Sequence, residues 1–177
     1  MLFKSTAING ALIVDVEKIA DERGFFGRVF CQREFEAHGI DPGIKQANIG
    51  FSKSKGTLRG LHYQVFPHGE AKLVRCTAGV LYDVILDLRA ASATFKQWLG
   101  VELSAENRRM LYVPEGCAHG YMTLSDHTEI HYLVSQYYHQ AAERGVRWND
   151  PAFNIEWPIN AGLMISEKDQ NWPDWKE

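Results

Sequence analysis

The clearest periodicity in the chain lies in "GVLYDVILDLR" (79–89). Tyr82, Val84, Leu86 and Leu88 fall on one face; Asp83, Asp87 and Arg89 fall on the other, with Leu81 and Ile85 between them. Alternation with a period of two predicts a strand. "TEIHYLVSQYY" (128–138) repeats the pattern with Ile130, Tyr132 and Val134 on one side. "RRMLYVPEG" (108–116) reads as a strand running into a Pro-Gly turn, and the β-branched run in "ALIVDVEKIA" (11–20) as an early strand. "REFEAHGI" (33–40) is the best short helix, with Gly39 as its C-terminal stop. Short strands, frequent turn signals and few helical stretches predict an all-β sandwich or barrel, and a jelly roll is the natural candidate. The polar tail "SEKDQNWPDWKE" (166–177), with its two tryptophans, is expected to close over one end of the sandwich.

Composition narrows this picture. A chain of 177 residues without internal repeat or low-complexity linker predicts a single domain over 1–177, long enough to bury a full core. The formal charge of -3 gives no bulk electrostatic reason to bind nucleic acid. An anionic ligand must therefore be held by a local cluster of Arg and Lys. The three cysteines, Cys31, Cys76 and Cys117, are odd in number and fit no zinc spacing. They read as reduced thiols of a cytoplasmic protein. No run approaches the ~18 apolar residues of a membrane span, and "MLFKSTAING" lacks the apolar run of a signal peptide.

Four residues in strands or at strand ends could carry chemistry: His62, Lys72, His119 and Tyr132. Taken singly, each has an ordinary explanation. A lone strand histidine is more often structural than catalytic, although it titrates near neutral pH. An isolated lysine is usually solvated, and a strand tyrosine is usually a core aromatic with its hydroxyl satisfied. "PEGCAH" (114–119) resembles the second half of a cupin metal motif, but the first half is incomplete. Where a cupin supplies His-x-His, this chain has His62-Tyr63-Gln64, and His68 and Glu70 stand at the wrong spacing. A transition-metal site usually takes three or more protein ligands, so no metal is expected.

The segments "DERGFFGRVF" (21–30), "QAN" (46–48), "GTLRGLHYQ" (56–64), "KLVRC" (72–76), "DVILDLR" (83–89), "VELSAENRRMLYVPEGCAHGY" (101–121), "ERGVRWNDP" (143–151) and "SEKD" (166–169) occur in one order. Together they closely resemble the dTDP-4-dehydrorhamnose 3,5-epimerase family over nearly the whole chain. The resemblance implies a cupin-like jelly roll working as a homodimer without metal or cofactor. The substrate it implies is a nucleotide-linked 4-keto-6-deoxy sugar, epimerised at C3 and C5 through an enolate.

By the same resemblance, His62 is the general base, Asp169 its carboxylate partner, Lys72 the cation near the C4 oxygen and Tyr132 the acid on the opposite face. Arg23 and Arg59 match substrate contacts suited to the diphosphate, and His119, Gln46, Asn48, Glu143 and Lys168 match further contacts. Tyr138 matches the aromatic that stacks on thymine. The chain departs from the family at Arg28, where glutamate is usual, and in segment 46–59, one residue longer than the common bacterial form. The first departure puts nucleotide preference in question, and the second the placement of Gln46 and Asn48. A single-centre epimerase, a 3,4-ketoisomerase, a non-catalytic sugar-binding jelly roll and a metal-dependent cupin oxygenase are the competing readings.

One physical tension remains in the sequence. Arg59 and His62 are three apart, so a regular strand points them to opposite faces. If both meet one ligand the strand must bulge, and Gly60 between them would permit it.

Overall fold

The computed structural model describes residues 1–40 and 43–176. The strands in chain order begin with β1 (Leu2–Ser5), β2 (Leu12–Asp15), β3 (Lys18–Asp21), β4 (Gly24–Gly27) and β5 (Gln46–Ser52). There follow β6 (Thr57–Gln64), β7 (Lys72–Ala78), β8 (Val80–Asp87), β9 (Trp98–Ser104) and β10 (Met110–Val113). The last are β11 (Cys117–Thr123), β12 (Thr128–Val134), β13 (Glu143–Gly145) and β14 (Met164–Ile165). Two short helices, α1 (Gln32–Glu36) and α2 (Glu167–Gln170), complete the described residues with a 3-10 turn at Gln140–Ala142. None of the described helices is long and apolar enough to cross a membrane.

Among the described residues, one sheet has the order β1-β2-β10-β7-β12-β5 and the other β13-β6-β11-β8-β9, with β14 parallel to β6. The two sheets form the cupin-like jelly-roll sandwich. Between them lies a core that includes Val74, Cys76 and Ile130 from the first sheet and Leu81, Ile85, Leu103 and Tyr121 from the second. Among the described residues the hairpin β3–β4 forms a two-stranded sheet of its own.

The alternation read in 79–89 holds, but neither face is left to solvent. Tyr82, Val84, Leu86 and Leu88 lie under Phe153 and Trp157 of the chain's last third. Leu81 and Ile85 share the interior face with Asp83 and Asp87, both fully buried. Asp87 is satisfied there by Arg89 Nε at 2.8 Å, Ser92 Oγ at 2.6 Å and Thr94 Oγ1 at 2.7 Å.

Three local expectations need correction. "ALIVDVEKIA" is two strands, because β2 pairs with β1 and β10 whereas β3 belongs to the separate hairpin. The helix predicted over 33–40 spans only Gln32–Glu36; Gly39, at φ +74°, and Ile40 fold back onto the Glu36 and Phe35 carbonyls. The strand in 128–138 stops at Val134. The tail divides its contacts: Ser166, Lys168, Asp169 and Gln170 line the cavity between the sheets, and Trp175 packs against Phe153 on the outer face of the second sheet. That face carries Leu58, Leu61, Ala118 and Met122, whose apolar surface needs cover, at roughly 25 cal/mol per Å² buried.

Candidate active site

A cavity of about 770 Å³ opens between the sheets. Its lining includes Arg59, His62, Lys72, His119, Tyr132, Lys168 and Asp169. These residues come from β6, β7, β11, β12 and α2, so the sandwich gathers positions more than a hundred residues apart.

The sequence TLRGLHYQ explains how Arg59 and His62 both reach it. Tyr121 pairs with Arg59 and His119 with His62, so a β11 interval of two residues opposes a β6 interval of three. This is a bulge. Leu58, Leu61 and Tyr63 pack in the outer cluster, while Arg59 and His62 line the cavity. Gly60 sits at φ +108°, a conformation that side-chain-bearing residues rarely adopt. A Cβ there would lie 2.6 Å from the Gly120 Cα and 2.7 Å from the His119 carbonyl oxygen. The glycine is therefore required twice, for its φ and for the approach of β11.

His62 Nε2 donates to Asp169 Oδ1 at 2.6 Å, and the Gly60 N–H donates to Asp169 Oδ2 at 3.2 Å. Ser166 caps α2 by accepting the Asp169 N–H at 3.1 Å, which seats the aspartate in the first turn. Burial pushes the Asp169 carboxyl up. The hydrogen bond and charge of His62, with help from Gly60 and Ser166, outweigh it and hold Asp169 below its ordinary range. The carboxylate fixes the ring so that Nδ1 is the nitrogen left for chemistry.

A second histidine–carboxylate pair stands beside it. His119, the register partner of His62, donates from Nε2 to Asp83 Oδ1 at 2.7 Å. Burial raises the Asp83 carboxyl, against the lowering pull of His119 and Lys72. Lys72 is buried and its Nζ lies 2.6 Å from Glu70 Oε1, an ion pair set off the hydrogen-bonding direction. Tyr132 stands on β12, on the sheet facing His62. Burial, then the Glu70 charge, raise its hydroxyl against the lowering pull of Arg59, so it holds its proton. Arg59 spans to β5, donating from Nη2 to the Phe51 carbonyl at 3.1 Å.

A further group forms a connected cluster. Tyr138 donates its hydroxyl to Glu143 Oε2 at 2.9 Å and its N–H to Gln46 Oε1 at 2.8 Å. Lys168 donates to Glu143 Oε1 at 2.6 Å. Gln46 is thus held at Tyr138 despite the longer segment that follows it. Asn48 pairs in register with Tyr132 and alternates in phase with Gln46 and the cavity-lining Gly50. Arg23 is not brought to the cavity. It lies between the strands of the exposed hairpin, paired with Asp21, its side chain 89% exposed. Arg28 is paired with Glu34 near α1.

Sequence reasoning missed Asp83 and Gln64 as parts of this region and noticed Glu70 only as a poor metal ligand. Asp83 carried a readable signal, an acid on the same face of its strand as Leu81 and Ile85. Among the described residues, no three of His, Cys, Asp and Glu are grouped so as to hold a metal ion.

Residues 5–177 match the family model of dTDP-4-dehydrorhamnose 3,5-epimerase. The chain is 46% identical over 167 residues to the Shigella flexneri dTDP-4-dehydrorhamnose 3,5-epimerase, covering 94% of this chain and 91% of that one. Its structure is similar to the Elizabethkingia anophelis dTDP-4-dehydrorhamnose 3,5-epimerase, with a TM-score of 0.96 at 40% identity, covering 99% and 96% of the two chains. It is also similar to a Legionella pneumophila dTDP-6-deoxy-D-glucose-3,5-epimerase solved with dTDP-4-keto-L-rhamnose, with a TM-score of 0.89 at 39% identity, covering 95% and 89%. With its cavity, its opposed histidine and tyrosine and a match over nearly its full length, the chain belongs to the dTDP-4-dehydrorhamnose 3,5-epimerase family of isomerases.

Proposed function

We propose that this protein converts dTDP-4-dehydro-6-deoxyglucose to dTDP-4-dehydrorhamnose by inverting C3 and C5. The observation that carries the reading is the placement of the His62–Asp169 pair on one sheet and Tyr132 on the other, facing one cavity. Inversion needs a base and an acid on opposite faces of the reacting carbon. The 4-keto group acidifies the hydrogens on C3 and C5. His62 Nδ1 takes one of these protons while Asp169 stabilises the imidazolium that forms. Negative charge moves to the C4 oxygen, where buried Lys72 is the fixed cation. Tyr132 then returns a proton from the far side. His119 contacts the sugar, Arg59 meets the diphosphate, and Tyr138 stacks on the base beside Gln46, Asn48, Glu143 and Lys168.

The same reading makes the protein a cytoplasmic homodimer, supported by its three free thiols and by two exposed apolar surfaces. Ile49 and Phe51 are 66% and 48% exposed on the edge strand β5, and Ile19 and Phe26 are 69% and 66% exposed on the hairpin. Arg23 on that hairpin lines no part of its own cavity, which fits service in the cavity of a second copy.

Incubation with the 4-keto substrate in heavy water tests the activity. Deuterium is expected at both C3 and C5, with inverted products by NMR. Label at one carbon would make this a single-centre epimerase, and a bound but unlabelled sugar would exclude epimerisation.

A further inference from the structure

Gln64 stands where a cupin metal motif has its second histidine, and no step of the reaction above uses it. It is 3% exposed at the end of β6. Its Oε1 accepts the His139 N–H at 2.6 Å. Its Nε2 faces three acceptors: the His68 carbonyl at 3.0 Å, the Tyr137 carbonyl at 3.2 Å and Glu70 Oε2 at 3.4 Å. Only an amide meets both demands from one side chain, an acceptor on one end and two donors on the other. Glutamate would have no donor for three oxygens, and histidine would have one at most at each ring nitrogen.

The partners of this amide belong to two ends of the site. Glu70 holds the Lys72 ammonium through its other oxygen. Tyr137 and His139 flank Tyr138, whose own N–H and hydroxyl are fixed by Gln46 and Glu143. The rings of His68 and His139 stack at 3.9 Å, so the two loops that Gln64 ties are also packed on each other.

We infer that Gln64 is a positioning residue that couples the nucleotide end of the site to Lys72. Ordering the Tyr137–His139 segment around a bound nucleobase fixes the amide, and the amide fixes the carboxylate against which Lys72 is aimed. Binding energy gained at the base is thereby spent at the enolate oxygen. The inference rests on the proposed roles of Tyr138 and Lys72.

The test is a double-variant cycle of Gln64→Met and Tyr138→Ala, reading dTDP affinity by calorimetry, kcat and KM by turnover, and deuterium uptake. Gln64→Met is expected to lower kcat about 10- to 100-fold, the cost of misplacing a group near the chemistry. The double variant is expected to have nearly the kcat of Gln64→Met alone, because the route by which Tyr138 reaches Lys72 is already cut. Gln64→Glu, equal in shape, serves in the same cycle if the methionine variant melts early. Unchanged kcat in folded Gln64→Met, or losses that simply multiply in the double variant, would overturn the inference while leaving the epimerase reading intact. A wild-type protein that takes up no deuterium would overturn both.

Discussion

His62 gives Nε2 to Asp169, and the proposed reaction uses the other ring nitrogen, so in that reaction the pair stands or falls with the carboxylate. Asp169→Asn replaces that anion with an amide of the same shape. It is expected to lower kcat by about 10²–10⁴, the usual scale for losing organised acid–base catalysis, with little effect on KM. The pH dependence follows from the lowered Asp169 carboxyl. A depressed group contributes stability that is present above its unfolded value and lost as pH falls through the folded one. Acid unfolding of the wild type is therefore expected to steepen below about pH 4, near the unperturbed carboxyl value. Asp169→Asn should flatten that limb in a denaturation series. Tyr132→Phe separates the two proton transfers. Deprotonation by His62 survives, so the sugar should still exchange deuterium while inversion drops, which NMR of recovered substrate would show.

At the scale of elements, the bulge in β6 decides which residues share a face. Gly60→Ala places a methyl against the backbone of Gly120 and His119 at an unfavourable φ. A loss of about 2–4 kcal/mol is expected, a magnitude typical of backbone strain with overpacking, and thermal unfolding measures it. How far such elements were legible depended on what set them. Alternation in 79–89 and 128–134 showed in the residues themselves, because each side chain's face follows from the pleat. The need for a bend at Arg59–His62 was legible as a contradiction, and Gly60 as its resolution. The partners of Asp83 and Gln64 were not legible. Asp83 meets His119 only through the pairing of β8 with β11, and Gln64 meets loops folding back from 68–70 and 137–139, neither of which a local pattern encodes. The packing of Trp175 on Phe153 was not legible for a similar reason. The tail's two tryptophans announced burial but not the surface they would cover.

For the whole molecule, the hairpin and the β5 edge carry the prediction. Phe51→Glu with Ile49→Lys places charge in the exposed apolar strip and is expected to give monomers by sedimentation. If Arg23 serves a second copy, Arg23→Ala and His62→Ala should each be nearly inactive alone. Mixed after partial unfolding and refolding together, they should regain activity, because the hybrid contains one cavity with both native residues. No recovery would confine each site to its own chain.

The two proposed proton carriers ride on separate sheets, His62 on β6 and Tyr132 on β12, with Ile130 and Tyr121 among the side chains between the layers. The distance a proton must be delivered across is thus a thickness, set by the filling of the sandwich. Stereochemical purity then becomes a gauge of that filling. A trimmed core residue such as Ile85→Val, far less disruptive than any change at the cavity wall, should alter the ratio of singly to doubly inverted sugar before it lowers total turnover.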